Sequence, residues 1–522
     1  MSKKKKPIKS FKKENIDFIH HHWFSWTILL FIGLIVIFFE NNNISFQQGH
    51  HGFLSSHGIT LAKNISFENN LLMFHNISID AQGNQIFNAY NRFPITSFLI
   101  LKSAMSLFGN NLELQIMAAR YIMILFYLGS MFLAYLSLRI LLKEKILSIA
   151  IVLMSFSSFY IQYYNDMIFN DIPTLFGFLL AFHGIVVYNN DNSKFIQLLV
   201  KSLIGISLGW QVYSILLVYI IYSFFIHIRS KDKNKNIFIT KYFKLGFITL
   251  VLGIVILSLQ LLNESKMTNQ PLNKIDTVSS MKKRMGTDSG FDKKHAHVLT
   301  FDRILQVQSD RIKVMSTPTY VTSHYKNTNI YFMIIMTLFI ISMFTQYKKY
   351  KNEYNILIIF ALSGFIWGLG MNHFTMFHDF QSIYYIGIPI IIYGSIFSFI
   401  YNHFKNKKIV MIILLLLSLL TFVNATYTFN KIKDQKSNRT NFITDDMQII
   451  KDKVGEKSKI CVDGNVHKVC GGQHACAFYL SGNYLQKSFK QAGCDFVMSN
   501  NRKYNNKPLS SQNKGVFLFE YK

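Results

Sequence analysis

Three clusters of ionisable residues sit where apolar blocks of the chain end, and charge at a membrane boundary is costly unless it is used. The first is Gly49-His50-His51-Gly52 with His57. A histidine there can act as a general base near neutral pH. On one helix face His50 and His57 lie about 10 Å apart along the axis, too far for a single metal ion. The same set also reads as interfacial histidines that only hydrogen-bond. The second cluster runs from Tyr163-Tyr164-Asn165-Asp166 to Asn170-Asp171-Ile172-Pro173. Asp171 fits a helix N-terminal cap as well as a catalytic role, so Asp166 is the better candidate for chemistry. The third runs from Asn372-His373 to Phe377-His378-Asp379-Phe380. A His beside an Asp suits hydrogen bonding to a sugar or a phosphate, and the plain alternative is a wet loop with a capping Asp.

Cations matter if the ligand carries phosphate. Arg92 stands immediately before Phe93-Pro94, and its planar fork suits phosphate. Arg120 lies near the outer end of the second apolar block, and Lys102 interrupts the apolar stretch 94–108. The run Lys282-Lys283-Arg284 reads first as a solvated face.

The elements that must position these groups are membrane helices. Half of the 522 residues are hydrophobic (50%) and only 16% are charged, against about 25% in soluble proteins. Apolar blocks of spanning length fall at 23–39, 114–138, 146–162, 172–188, 195–208, 211–228, 243–262, 329–346, 355–371, 383–402 and 409–427. The net charge of +28 is not a nucleic-acid signal. Its lysines gather in short gaps between blocks, as at Lys143 and Lys145, Lys348 to Lys351 and Lys405 to Lys408, which is the positive-inside pattern. About eleven crossings from a cytoplasmic basic N-terminus (1–22) put the loops 40–113 and 263–328 outside, together with a C-terminal domain (428–522). The first block lacks a cleavage site and reads as a retained span.

Within the first outer loop, 52–63 and 94–108 read as helices, the second lying in the interface. Strands are expected at 459–463, 494–499 and 515–521, with a helix over 475–490, giving a small α/β domain. Cys461, Cys470, Cys476 and Cys494 all lie there and imply one or two disulfides. A zinc site with His467 and His474 is the alternative, although the spacings match no standard pattern.

The stretch Arg92-Phe93-Pro94-Ile95, Leu107-Phe108-Gly109 and Ala119-Arg120 resembles the C-type (GT-C) glycosyltransferase superfamily. That group includes protein O-mannosyltransferases and lipid A aminoarabinose transferases. Asp171-Ile172-Pro173 and the His378-Asp379 loop are similar to further features of the family. The resemblance implies an all-α polytopic fold, a polyprenyl-phosphate sugar donor and Arg92 in the place of the lysine that meets the donor phosphate. It also implies that Asp166 or Asp171 lies near the active site. Family members carry an acid early in the first outer loop where this chain has His50-His51. Either a His serves as base, or Asp166 or Asp171 does, or the protein is catalytically altered.

The chemistry implied is attack of an acceptor hydroxyl on the anomeric carbon, with cations holding the phosphate as leaving group. Arg92, Arg120, Lys102, His57, His378 and Asp379 are then the substrate-binding set. The acceptor is a lipid, another glycan or a protein, in a bacterial inner membrane. No Gly-rich nucleotide loop is present, no organic cofactor is implied, and a divalent metal stays open. The competing readings are a flippase for lipid-linked saccharides, against which no internal repeat is visible, and a non-catalytic relative.

Overall fold

A backbone crossing lipid must satisfy its own hydrogen bonds, so apolar blocks of spanning length fold as helices. The computed structural model describes residues 27, 30–38, 50–68, 70–79, 85–229, 235–285, 300–318, 328–437, 453–454, 458–462, 484–486, 494–499 and 517–520. Residues 30–38 are helical. Then follow α1 (His50–Asn64), β1 (Phe74–Ile79), β2 (Gln85–Ala89), α2 (Thr96–Ser106), α3 (Leu112–Leu142), α4 (Lys145–Phe156), α5 (Phe159–Tyr164) and α6 (Asp171–Asn190). Next come α7 (Phe195–Leu208), α8 (Val212–Arg229), α9 (Lys235–Thr268), α10 (Asp276–Arg284), α11 (Phe301–Ser316), α12 (Thr328–Gln346) and α13 (Lys351–Gly370). The chain continues with α14 (Asn372–Phe377), a 3₁₀ turn (Asp379–Ile386), α15 (Gly387–His403), α16 (Lys407–Ser437), β3 (Lys459–Val462), β4 (Tyr484–Gln486), β5 (Phe496–Ser499) and β6 (Phe517–Glu520).

Among the described residues, 7 helices are long and apolar enough to cross a membrane, each overlapping a block expected from the sequence. The expected blocks at 146–162, 195–208 and 211–228 are not among these 7 spans. Helix α7, with 14 residues, is only about 21 Å long, against a core of roughly 30 Å. Block 146–162 breaks because two serines compete with the helix for backbone partners. The Ser157 hydroxyl donates to the Met154 carbonyl at 2.7 Å. Ser158 becomes extended and pairs with Pro318. That break frees α5 to carry Tyr164 toward the acid cluster. Helix α16 has 31 residues, about 46 Å, so it outruns the hydrocarbon core and returns to the same end.

Helix α3 shows how its ends are marked. Asn111 accepts from the Leu114 amide at 3.1 Å. Glu113 lies in the first turn and Arg139 in the last, each with the sign the helix dipole favours.

Both expected outer-loop helices are present as α1 and α2. Between them β1 and β2 form an antiparallel hairpin that no alternation in the sequence announces. Asn64 at the end of α1 ties it in, donating to the Phe74 and His75 carbonyls at 3.0 and 2.9 Å.

In the tail the three expected strands appear, in a sheet ordered β4-β3-β5-β6. β3 runs parallel to β4 and β5, and β6 antiparallel to β5. Residues 484–486 are a strand where a helix was expected. Leu485 and its neighbours gain ladder partners on β3 that an isolated helix would not supply. Cys461 and Cys494 form a disulfide with their Cα atoms 5.8 Å apart. Cys470, Cys476, His467 and His474 lie outside the described residues.

Candidate active site

The connection Asn165–Asn170 is buried throughout, although loops normally run over the surface. It is held from three sides. Ser55 of α1 accepts from the Ile168 amide at 3.2 Å. Ser97 of α2 donates to Asn170 Oδ1 at 2.5 Å. Lys433 of α16 donates to Asp166 Oδ1 at 2.7 Å, with both side chains almost fully buried. Helix α1 approaches so closely at Gly58 that a Cβ there would stand 2.0 Å from the Ile168 carbonyl oxygen. Gly58→Ala is therefore expected to cost about 1–3 kcal/mol through overpacking and to displace this connection. Thermal unfolding and transfer assays on the variant check it, and unchanged values in both would remove the close contact from the account.

Asp171 opens α6, but its carboxylate is held by side chains from the 3₁₀ turn. Gln381 Nε2 donates to Oδ1 at 2.7 Å and the Tyr384 hydroxyl at 2.8 Å. The N-cap position is Asn170, with no side-chain capping bond, so Asp171 is not the plain cap that its Pro173 spacing allowed. Asp379 is half-buried and accepts from the Tyr164 hydroxyl at 2.6 Å. Burial first, and the Asp379 carboxylate second, push the Tyr164 phenol far above its ordinary value. Tyr164 therefore remains a donor at every physiological pH. His378 packs against Phe374 and Phe380, with ring centroids 4.7 and 5.2 Å away.

Four cations reach this end of the bundle. Arg92 is bidentate to Asp276, with Nε and Nη2 at 2.7 and 2.6 Å. Burial opposes its charge, but Asp276 and Tyr90 together outweigh it and raise its pKa overall. Lys433 is matched by Asp166. Arg284 and Arg311 have no carboxylate ion pair among the described residues. The Arg284 guanidinium lies between the Phe93 and Phe374 rings, 4.9 and 4.2 Å from their centroids. Burial lowers its pKa, while Tyr90, Asp171 and Asp276 pull it upward. Arg311 is 5% exposed, and its buried Nη1 has no hydrogen-bond partner among the described residues. Burial lowers its pKa too, opposed by Tyr160, Tyr385, Asp379 and Tyr164. Both arginines keep their charge, because guanidinium does not deprotonate in proteins.

The structure thus brings Asp166, Asp171, Asp379 and His378 together and separates other expected residues. Lys102 donates to the Lys63 and Ile65 carbonyls and closes the end of α1, while burial lowers its pKa. His57 is buried and stacked on His75, with centroids 4.3 Å apart, beside Tyr90 at 4.2 Å. Arg120 is buried on α3. His50 and His51 lie in α1, and their side chains are outside the described set. Among the described residues no three His, Cys, Asp or Glu side chains gather as a metal site.

Arg311, Lys433, Gln381 and Tyr384 were not singled out in the sequence, and Arg284 read as solvent-facing. One signal was available. Ile304, Gln308, Arg311 and Met315 are buried positions of α11, at helical spacing, so Gln308 and Arg311 interrupt an apolar stripe. Gln308 donates to Thr375 Oγ1 at 3.0 Å and accepts from the Tyr385 hydroxyl.

No protein-family model matches the chain, and no curated protein matches it. Solved structures are similar, two of them as follows. ArnT from Cupriavidus metallidurans bound to undecaprenyl phosphate aligns with a TM-score of 0.59 at 10% identity, covering 95% of this chain and 97% of that one. Archaeal oligosaccharyltransferase AglB from Archaeoglobus fulgidus, in complex with an inhibitory peptide and a dolichol-phosphate, aligns with a TM-score of 0.51 at 12% identity. It covers 87% of this chain, which spans 64% of the archaeal protein. Across nearly the whole of both chains, this protein therefore shares the overall fold of ArnT.

Proposed function

We propose that this chain is a membrane glycosyltransferase that moves a sugar from a polyprenyl-phosphate carrier to an acceptor hydroxyl. The observation that carries the reading is the meeting of Arg284 and Arg311, free of carboxylate ion pairs among the described residues, with Asp171 and Asp379 at one end of the bundle. The lipid-bound complexes of the two similar structures support a carrier of that class. In this reading the polyprenyl chain stays in lipid and its phosphate meets Arg284 and Arg311. The acceptor oxygen attacks the anomeric carbon and the carbon–oxygen bond to phosphate breaks, leaving its electron pair on the phosphate. The acceptor proton passes to Asp379, the more exposed of the two acids, while Asp171 fixes Gln381 and Tyr384 beneath it. Attack opposite the leaving group inverts the anomeric centre.

Asp166 takes a structural part here, because its carboxylate already neutralises Lys433. Arg92 acts through Asp276 and α10, holding Arg284 in place. The reading includes eleven crossings, a cytoplasmic N-terminus and an α/β tail outside, in a bacterial inner membrane. The acceptor is a lipid, a glycan or a protein.

The test is transfer by the purified chain in membranes from a panel of polyprenyl-phosphate sugars, with Asp379→Asn and Arg284→Ala alongside. Consumption of one donor by the wild type, with a drop of about 10²-fold or more in Asp379→Asn, is the expected result. Donor consumption that Asp379→Asn leaves intact would move the base to another residue. No consumption of any donor by folded protein would remove the transferase reading.

A further inference from the structure

At the opposite end of the bundle lies a second site that the transfer chemistry does not use. Helix α15 continues from the 3₁₀ turn that Asp379 opens and ends at His403, about 25 Å from its start along its axis. There a cavity of about 260 Å³ is lined by Glu144, Glu353, Lys349, Lys407, Tyr401 and Asn402, over a floor that includes Leu147 and Leu357. It is smaller than most pockets that enclose a whole ligand, roughly 300–1,000 Å³, and suits a headgroup whose remainder lies outside.

The lining carries two acids and two lysines that do not pair with each other. No ion pair joins them among the described residues. Lys407 Nζ lies 4.9 Å over the Tyr401 ring and Lys349 Nζ 5.0 Å over the Tyr350 ring. Glu144 accepts from the Tyr401 hydroxyl at 2.8 Å, which leaves its second oxygen for another donor. Glu353 makes no hydrogen bond among the described residues. The N-termini of α4, α13 and α16 open at this cavity, and their dipoles favour an anion. Uncancelled charges of both signs around one small cavity describe a zwitterion's complement. Beside it Phe404, Ile409, Ile412 and Ile413 are exposed apolar side chains, a surface on which acyl chains can lie.

We propose that this cavity binds the headgroup of a zwitterionic phospholipid with a primary ammonium, of the phosphatidylethanolamine class. The ammonium meets Glu144 and Glu353, the phosphate meets Lys349 and Lys407, and the chains run along the start of α16. A primary ammonium donates three hydrogen bonds that a trimethylated one cannot, so phosphatidylcholine is a poor substitute.

Native mass spectrometry of the full chain, released from mixed micelles containing equal parts phosphatidylethanolamine, phosphatidylcholine and phosphatidylglycerol, tests this. The expected result is selective retention of phosphatidylethanolamine. Glu144→Gln with Glu353→Gln should lower that retention about tenfold, and Lys349→Ala with Lys407→Ala should lower it comparably. Gln at 144 still accepts from Tyr401, and Glu353→Gln alone serves if the double variant does not fold. Phosphatidylglycerol retained as well as phosphatidylethanolamine would make the site a plain anion patch and overturn the proposal. So would retention that ignores the glutamate substitutions. Sugar transfer plays no part in this readout, so the outcome is independent of the transferase reading.

Discussion

Arg311→Ala is expected to lower kcat for transfer from a polyprenyl-phosphate donor by about 10²- to 10³-fold, the usual cost of removing one preorganised group that stabilises a developing anion. The residue is 5% exposed. Its guanidinium faces Tyr160, Tyr164, Tyr385 and Asp379, and its buried Nη1 has no hydrogen-bond partner among the described residues. Holding a buried donor unsatisfied costs on the order of 1–3 kcal/mol, a cost that a bound phosphate would relieve. If so, Arg311→Ala keeps or raises the melting temperature while activity falls. Arg311→Lys retains the charge but loses the two-pronged geometry and should fall between wild type and Ala. A purely structural role predicts the reverse pattern: reduced melting temperature with transfer per folded molecule unchanged. Steady-state kinetics and thermal unfolding on the same preparations separate the two.

The second large effect concerns stability. Lys433→Met is expected to destabilise the fold by about 3–5 kcal/mol, because it takes the Lys433 ammonium away from the buried Asp166 carboxylate. The two side chains are 5% and 2% exposed and 2.7 Å apart, so little solvent screening applies. Asp166→Asn on its own takes the carboxylate away from the buried Lys433 ammonium and is expected to act in the same direction. The double variant Asp166→Asn with Lys433→Met removes both charges and should recover most of the loss, since replacing a buried pair outright is often near neutral. Additive losses in that cycle, read from denaturation in detergent, would show that the pair does not lock α16 to the Asn165–Asn170 connection.

Reading the acids from the sequence alone ranked Asp166 above Asp171, on the ground that Asp171 had a cap to explain it. The proposed function gives Asp166 a structural part instead, from the partners each acid meets. Asp166 meets Lys433, 267 residues away, and Asp171 meets Gln381 and Tyr384, 210 and 213 residues away. Local spacing carries no information about such partners. The place of Arg92 just before Phe93-Pro94 was legible, but not its fork's engagement by Asp276.

Membrane character, most helix positions, the outer-loop helices and three tail strands followed from hydropathy and period, because those depend on residues a few positions apart. The acids and the His378-Asp379 pair were visible as charges at apolar boundaries, where desolvation makes charge conspicuous. Only the folded chain decided which arginines remain without a carboxylate among the described residues and which acids meet a cation. Those outcomes depend on the packing of α5, α10, α11 and α16 onto one end of the bundle. Electrostatic pairing falls off with distance in space and is indifferent to distance along the chain.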